Sequence, residues 1–327
     1  MVTGQTNQCQ LCPRRCILEE GQRGNCRARM NSGGKMKTLV YGKPCAVHID
    51  PIEKKPMYHV YPSSSVFSIA TAGCNLHCKF CQNWEISQSE PEKTQNYDLP
   101  PAAVVKEALK NKCGSIAYTY SEPVVFYEYM YDTCKAARQN GVKNVVVTAG
   151  FINPEPLSEL CAVVDAVKVD LKAITDEFYR TVCFGWLSPV LETLKTLRQK
   201  NVWTEIVHLI IPTLNDKKED LSRLAEWVLV NLGPDVPLHF SRFWPQYQLK
   251  NLPPTPAETL DMAWHMARKM GIHYAYVGNI PDHEGNNTYC PKDGKLLIRR
   301  KGYSVVEYNM DAGRCKFCGT KIPGIWQ

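Results

Sequence analysis

The chain has 327 residues, of which 44% are apolar, enough for a sizeable hydrophobic core. Its 39 basic and 32 acidic residues give a net charge of +7 without a dense basic run, which offers little support for a nucleic-acid partner. No apolar run approaches the roughly 18 residues of a membrane-spanning helix, so we expect no membrane contact.

Cysteine is unusually frequent, with fifteen residues in the chain. Residues 1–10 are polar and lack the apolar centre of a secretory signal, so we expect a cytoplasmic protein. In a reducing compartment, grouped cysteines indicate metal binding or catalysis rather than disulfides. The groups are Cys9, Cys12, Cys16 and Cys26; then Cys74, Cys78 and Cys81; then Cys290, Cys315 and Cys318.

The first region, residues 1–62, is rich in cysteine, glycine and proline and has weak periodicity. It is predicted to be a small metal-binding module followed by an extended connector over residues 42–62. Its four cysteines are a complete ligand set for structural zinc or for an auxiliary iron–sulfur cluster. Arg14 and Arg15 place cations beside these thiols, which favours metal binding. The sequence leaves both metals open, and also a module without metal.

The middle region, residues 63–281, alternates apolar strand segments with helical segments at about 30-residue intervals. Such strands suit a parallel sheet that is buried on both faces. The repetition predicts either a barrel or a doubly wound sheet, and no Gly-x-Gly-x-x-Gly supports dinucleotide binding. The predicted strands are 66–72, 115–120, 143–149, 166–171, 203–211, 237–243 and 273–277, and the predicted helices are 101–112, 123–139, 154–161, 189–200, 217–232 and 257–270.

The last region, residues 282–327, contains a basic hairpin-like stretch over residues 296–308 and is predicted to be a zinc-ribbon-like module. Cys290, Cys315 and Cys318 supply three thiolates for zinc, and Asp293 stands where a fourth ligand is needed. His283 is an alternative fourth ligand. An exchangeable fourth position and a metal-free ribbon also remain open.

Cys74, Cys78 and Cys81 follow the first predicted strand directly. A [4Fe–4S] cube has four irons that each need a ligand, so three cysteines leave one iron open. An open coordination site can bind a substrate or cofactor. The alternative is a structural zinc knuckle without its fourth ligand.

The spacing of these cysteines, with Phe80 before the last of them and Gln82-Asn83-Trp84 after it, resembles that of the radical S-adenosylmethionine (SAM) enzymes. The chain is similar to the pyruvate formate-lyase activating type. Through residues 42–56 and Val277-Gly278-Asn279 it most closely resembles the radical SAM enzymes of the AmmeMemoRadiSam system.

This resemblance implies a partial (β/α)6 TIM-like barrel whose site lies at the carboxyl ends of the strands. It implies a [4Fe–4S] cluster that reductively cleaves SAM to a 5′-deoxyadenosyl radical, which then abstracts hydrogen from a substrate. In the activating type the substrate is a glycine of another protein, and the electron donor is a flavodoxin or ferredoxin. The alternatives are radical modification of a small molecule and a metal-braced binding protein without catalysis.

The resemblance also assigns cofactor-binding residues. Ser121 and Glu122 stand in the family's Gly-Gly-Glu-Pro loop, which binds the SAM amino group, with serine in place of a glycine. Thr148 begins a Thr-Ala-Gly where activating enzymes have Thr-Asn-Gly, so a polar contact from residue 149 is in doubt. Phe80 belongs to the cysteine motif. Independently of the family, Glu122 could instead cap the helix that follows it.

Three more cofactor-binding residues follow from later strands. Asp170 and Lys172 match an Asp-x-Lys, in which the lysine pairs with the SAM carboxylate. Lys172 could instead neutralise a nearby aspartate. His239 matches a histidine near the cofactor, or it is a satisfied core residue. Cys183, like Cys45, lies in a less regular stretch and could reach a cluster.

Overall fold

An eight-stranded sheet forms the centre of the computed structural model, which describes residues 6–326. The predictions for residues 1–10 and for the outer ends of the first and last modules therefore fall partly outside the described residues. The strands are β1 (Ala46–Pro51), β2 (Ser65–Ala70), β3 (Ser115–Tyr118), β4 (Lys143–Thr148), β5 (Ala166–Asp170), β6 (Trp203–Ile210), β7 (Leu238–Arg242) and β8 (Ala275–Gly278).

Six helices connect the seven parallel strands and lie close to their predicted bounds. Pro154 occupies the first turn of its helix, where a missing N–H is tolerated. Within residues 6–326, no helix combines the length and the apolar character that crossing a membrane requires. The helices are α1 (Pro101–Lys110), α2 (Tyr127–Gln139), α3 (Pro154–Leu160), α4 (Leu187–Gln199), α5 (Lys218–Leu232) and α6 (Ala257–Met270).

The strands pair in the order in which they occur along the chain, from β1 to β8. A doubly wound sheet reverses its order at a switch point, and this sheet does not. Right-handed crossovers that always step in one direction place all helices on the same face, as in a barrel. Six strand–helix units precede β8, so the predicted α/β class with a parallel (β/α)6 core is confirmed.

Strand β1 is the element that the sequence patterns missed, because residues 42–62 were expected to be an extended connector. It pairs antiparallel to β2 and forms one edge of the sheet. The other edge is β8, and within residues 6–326 these two edge strands do not pair with each other. The sheet is therefore open between β8 and β1.

The two faces of the sheet differ in polarity. Alternate strand residues such as Ile69, Val169 and Phe240 are buried in the main hydrophobic core together with the helices. The residues between them point to the other face, which we call the inner face. It carries polar side chains such as Glu205 and His239, which bond to each other across neighbouring strands.

Glu205 organises the inner face. Its buried carboxylate accepts hydrogen bonds from the backbone N–H groups of Tyr58 (3.0 Å) and His59 (2.8 Å), and His239 Nε2 lies 2.8 Å from its Oε2. Trp203 Nε1 donates to the same carboxylate at 3.3 Å. Because Tyr58 and His59 belong to the segment after β1, this one acid anchors that segment across the inner face.

The two cysteine-rich modules pack against this sheet. In the last module the predicted hairpin-like stretch is confirmed, and Arg300 within it is buried and donates to the carbonyl of Tyr58 at 2.9 Å. In the first module Arg29 forms a two-pronged ion pair with Glu128 of α2 at 2.6 and 2.7 Å. The paired strands are Asn7–Gln8 with Ile17–Leu18, Arg29–Ser32 with Lys35–Thr38, Thr288–Tyr289 with Leu296–Lys301, Leu296–Lys301 with Ser304–Tyr308, and Met310–Asp311 with Arg314–Cys315.

We expect Glu205→Ala to destabilise the fold by about 3 kcal/mol or more, because it leaves several buried donors without an acceptor. Denaturant unfolding followed by circular dichroism measures the loss. The matched control is Glu226→Ala on the exposed side of α5, which should stay within about 0.5 kcal/mol of the wild type. Equal stabilities for the two variants would contradict the anchoring role of Glu205.

Candidate active site

The loop that carries Cys74, Cys78 and Cys81 leaves the sheet at the carboxyl end of β2 and ends in the short helix Trp84–Ser87. Cys78 is buried, and the other two cysteines are half-buried. The sulfur of Cys81 lies 3.2 Å from the hydroxyl of Ser87. The three thiols are thus placed at the edge where all seven parallel strands end.

Backbone hydrogen bonds hold this cysteine loop in place. The N–H of His77 donates to the carbonyl of Cys183, and the N–H of Lys79 donates to the carbonyl of Val182, both at 3.0 Å. Both carbonyls belong to the single wide turn Tyr179–Cys183, which follows β5. The loop is therefore tied to a neighbouring part of the same edge by contacts that do not involve the three thiols.

A segment from residue 243 to residue 250 crosses over the cysteine loop. The N–H of Gln248 donates to the carbonyl of Lys79 at 2.9 Å. The ring of Tyr247 stacks on Trp84, with centroids 5.2 Å apart and planes 10° from parallel. These contacts join the loop after β7 to the loop after β2 and cover the loop's outer side.

Phe80, Asp170 and Lys172 are brought together beside Cys78. The ammonium of Lys172 lies 5.5 Å from the centre of the Phe80 ring and 3.5 Å from the Asp170 carboxylate, which also pairs with Lys168. Burial lowers the pKa of Lys172, but Asp170 and the nearby thiols outweigh this effect and hold that pKa well above its ordinary value. A largely buried cation therefore stands next to the cysteine loop.

Cys183 also lies in this site. Its buried thiol interacts directly with the sulfur of Cys78, although the two residues are 105 positions apart in the chain. Sequence spacing left this contact open, because it depends on how the turn after β5 folds back onto the cysteine loop. A fourth thiol thus lies beside Cys78, and it has to be considered as a further protein ligand of a metal centre at this site.

Glu122 joins the ends of two strands. Its buried carboxylate accepts hydrogen bonds from the Thr148 hydroxyl (2.6 Å) and from the N–H groups of Ala149 (2.8 Å) and Val124 (3.2 Å). The last bond caps the turn that precedes α2. Ser121 turns back and donates to the carbonyl of Thr71 at 2.7 Å, so this loop is tied to the residues just before the cysteines.

His239 has other partners. It bonds to Glu205 and stacks against Tyr276, with ring centroids 4.8 Å apart, and Tyr58 meets it edge-on. All four side chains belong to the buried inner-face network that holds the segment after β1. These contacts match those of a satisfied core residue, and its placement near a cofactor stays a prediction.

A second polar cluster lies on the inner face and was missed in the sequence. The buried carboxylate of Asp50 accepts from Lys55 Nζ (2.6 Å), from Lys54 Nζ (2.9 Å) and from the Tyr120 hydroxyl. Burial lowers the pKa of Lys55 to about 8, although Asp50 acts in the opposite direction. Asp50 and Lys55 belong to residues 42–56, which carry the resemblance to the AmmeMemoRadiSam group. That resemblance assigned no role to either residue.

The C-terminal ligand set is drawn tightly together. Cys290, Asp293, Cys315 and Cys318 each offer one ligand atom, and these atoms all lie within 4.8 Å of one another. Among residues 6–326 this is the one group of three or more His, Cys, Asp or Glu side chains that is so compact. The sulfurs of Cys290 and Cys318 are 3.6 Å apart, and Cys315 Sγ is 3.9 Å from Asp293 Oδ2. A tetrahedral zinc with Zn–S bonds of about 2.3 Å needs sulfurs about 3.8 Å apart.

His283, the alternative fourth ligand, is engaged elsewhere. One ring nitrogen lies 2.6 Å from Asp261, and the other accepts the N–H of Gly285 at 2.8 Å. The geometry therefore favours Asp293 as the fourth member of the C-terminal group.

The thiols of Cys74, Cys78 and Cys81 do not form a group this compact, since their sulfurs do not all lie within 4.8 Å of one another. One ion would draw three thiolates together, whereas a cube binds each of them at a different iron. Three soft thiolate donors in this open spacing fit an iron–sulfur cluster.

A family model described as the radical SAM superfamily matches residues 68–227, which include the cysteine loop and strands β3 to β6. The chain belongs to the radical SAM superfamily. The family implies a [4Fe–4S] cluster and SAM as cofactors, so the interpretation as a zinc knuckle is not supported. The more specific resemblance to the AmmeMemoRadiSam group stays a prediction.

Two curated relatives are similar to the chain over different lengths. An uncharacterized protein of Methanocaldococcus jannaschii is 47% identical over 317 residues, covering 96% of this chain and 94% of the relative. A pyruvate formate-lyase-activating enzyme of Listeria monocytogenes is 28% identical over 176 residues, covering 50% of this chain and 68% of the relative. The chain is thus a radical SAM enzyme similar to the activating type.

Among solved structures, the crystal structure of a radical SAM methyltransferase from Sphaerobacter thermophilus is similar, with a TM-score of 0.53. The match covers 72% of this chain and 71% of that one, at 16% sequence identity. At this level of identity the likeness concerns the radical SAM fold alone.

We expect Cys183→Ser to leave the iron content per chain unchanged, whereas Cys78→Ser lowers it, because only the latter removes a predicted cluster ligand. The two residues are matched, since both are buried and touch each other. Iron and sulfide analysis after anaerobic reconstitution measures the difference. Equal iron losses in the two variants would indicate that Cys183 is a fourth protein ligand, which would leave no iron open for SAM.

Proposed function

We propose that Cys74, Cys78 and Cys81 hold a [4Fe–4S] cluster with one open iron for SAM. The bound pair supplies reductive cleavage of SAM to a 5′-deoxyadenosyl radical that abstracts hydrogen from a substrate. The observation that carries the proposal is the trio of thiols, held apart on one fixed loop at the edge where the strands end.

The surrounding residues have roles that follow from their contacts. Lys172 offers a buried positive charge for the SAM carboxylate, and Asp170 keeps that ammonium in position. Phe80 covers one side of the ammonium and excludes water from it. Glu122 acts through its hydrogen bonds, by fixing Thr148 and the two loops that enclose the cofactor.

We propose a protein substrate, as for the activating enzymes that the chain resembles. Within the described residues β8 and β1 do not pair, so the sheet does not close into a complete barrel, and the segment after β1 and the C-terminal module cover part of its inner face. Exposed aromatic side chains, Trp84, Phe184 and Trp244, flank the cysteine loop or belong to the segment that covers it, and such residues are enriched in protein interfaces. A one-electron donor of the flavodoxin or ferredoxin type and a reducing cytoplasmic setting complete this proposal.

The second candidate is radical modification of a small molecule. The inner-face cluster of Asp50, Lys55 and Tyr120 favours it, because paired buried charges could orient a polar substrate. In either case we propose three units, residues 1–62, 63–281 and 282–327, in which the middle one carries out the chemistry and the first contributes β1 to its sheet.

The test is the formation of 5′-deoxyadenosine. Anaerobically reconstituted chain with SAM and dithionite should release it, and Cys78→Ser should reduce the yield to background, because the cluster loses an iron ligand. Chromatography with mass detection measures the product. Cys161→Ser, at a half-buried cysteine outside the three groups, is the matched control. Undiminished product from Cys78→Ser would contradict the proposed cluster site.

We also propose that Cys290, Asp293, Cys315 and Cys318 hold structural zinc. The distances between their ligand atoms support a single tetrahedral ion. Asp293 follows Cys290 at the same spacing as Cys318 follows Cys315, so two similar loops supply two ligands each.

We expect Asp293→Ala to weaken zinc binding by about tenfold or more, since a loss of even outer-shell partners costs that much. Asp293→Cys should strengthen it by completing a four-thiolate set. A chelator competition with zinc detection measures both. Asp311→Ala, at an exposed acid of the same module, should leave zinc binding unchanged. Wild-type affinity in Asp293→Ala would remove Asp293 from the ligand set.

A further inference from the structure

The four cysteines of the first module, Cys9, Cys12, Cys16 and Cys26, line one small cavity. Its remaining wall is mainly apolar, from side chains such as Leu11, Leu18 and Val125. Besides the thiols, the polar side chains in this lining are those of Arg14, Arg29 and Asn75. Such a mainly apolar setting suits a metal centre, because the surroundings of a metal control the access of water to it.

Local structure explains why the thiols converge. The pairing of Asn7–Gln8 with Ile17–Leu18 brings the two ends of the first turn together, and the N–H of Cys9 donates to the carbonyl of Cys16 at 2.9 Å. A side-chain carbon at Gly24 would lie 3.8 Å from the sulfur of Cys26 and 3.9 Å from that of Cys16. These two sulfurs therefore lie near one point of the cavity wall.

The spacing of these thiols differs from that of the C-terminal group. No three of the four satisfy the 4.8 Å limit that Cys290 and its partners meet, although all four are described residues. In this respect they match the central trio, Cys74, Cys78 and Cys81, which belongs to the superfamily's cluster motif. The described residues thus contain one compact ligand set and two wider ones, and a cube needs the wider spacing because it binds each thiolate at a different iron.

One of the side chains that line the cavity also carries an unpaired hydrogen-bond donor. Arg29 lines the cavity and is only 5% exposed, and its Nε–H has no hydrogen-bond partner among residues 6–326. Its two terminal nitrogens are used by Glu128, so the third donor is left over. A buried N–H without an acceptor is costly, and thiolate and sulfide sulfurs of a cluster are acceptors that would satisfy it.

The cavity shares a wall with the radical SAM loop. Asn75, which follows Cys74 directly, lines the cavity, and its carbonyl accepts a hydrogen bond from Arg14 at 2.5 Å. Gly73, which precedes Cys74, approaches the carbonyl of Cys26 so closely that a side-chain carbon there would lie 2.4 Å from that oxygen. The backbone around Cys74 therefore packs directly against the cysteine cavity of the first module.

We propose that Cys9, Cys12, Cys16 and Cys26 hold a second [4Fe–4S] cluster, fully ligated by protein, with the Nε–H of Arg29 donating a hydrogen bond to one of its sulfur atoms. This cluster has no open iron, so it does not bind SAM. It lies directly behind the loop that carries the first cluster.

Metal analysis of the full-length chain tests the ligand assignment. The wild type should contain about eight iron and eight sulfide per chain, and the variant with Cys74, Cys78 and Cys81 all changed to serine should keep about half of each. Cys12→Ser combined with Cys16→Ser should lose the other half. Zinc should stay at about one per chain throughout, which also reports that the C-terminal module is folded.

The contrary result is equally clear. If the triple-serine variant contains no iron or sulfide, and zinc reaches about two per chain, the first module is a zinc site and the proposal is wrong. This outcome is separable from failure of the proposed function, because the formation of 5′-deoxyadenosine by the wild type is a separate measurement. Formation of 5′-deoxyadenosine by a chain without a second cluster would contradict only the present inference. Two clusters without 5′-deoxyadenosine would contradict only the proposed reaction.

The role of Arg29 has its own readout. In the triple-serine variant, which isolates the second cluster, Arg29→Met should shift the reduction potential to a more negative value, since hydrogen bonds to cluster sulfurs raise it. Glu128→Gln, which weakens the same ion pair but keeps the Nε–H, is the matched control and should leave the potential nearly unchanged. A redox titration followed by electron paramagnetic resonance measures both, and equal potentials would remove Arg29 from the proposal.

Discussion

The site depends on one constraint: seven parallel strands end at the same edge of the sheet, and their order follows the chain without a reversal. Every loop that leaves this edge meets its neighbours. The cysteine loop after β2 is therefore held by the turn Tyr179–Cys183 after β5 and by the segment after β7, through backbone hydrogen bonds that need no metal. These hydrogen bonds make the position of the loop a property of the fold, which holds the cysteines at this edge of the sheet.

The polar inner face explains why this sheet carries attachments on both sides. Buried carboxylates such as Asp50 and Glu205 are tolerated only when each finds several donors. The segment after β1 supplies those donors, from Lys55 for Asp50 and from the backbone of Tyr58 for Glu205. The C-terminal module then covers that segment through Arg300. The sheet, the segment after β1 and the C-terminal module thus share one continuous hydrogen-bond network. Each of them would leave buried polar groups without partners if the others were removed.

Much of the fold could be predicted from the sequence, because strands buried in a parallel sheet are nearly continuous apolar runs and helices separate them at regular intervals. The cysteine loop could also be placed, since its spacing is local. Strand β1 could not, because His48 and Asp50 interrupt its apolar pattern. The contact of Cys183 with Cys78 was equally hidden, as it depends on the path of a turn more than a hundred residues away. For Glu122 the structure shows capping contacts, one of two roles that the sequence left open.

The cavity of the first module is completed by residues far along the chain. Asn75 and Val125 form part of its wall, and Asn153 binds the carbonyl of Cys12. During synthesis on the ribosome, the four thiols emerge well before these covering residues exist. Insertion of the cluster proposed for this module into the nascent chain would therefore precede the docking of these residues, whereas insertion into the folded chain would have to displace them.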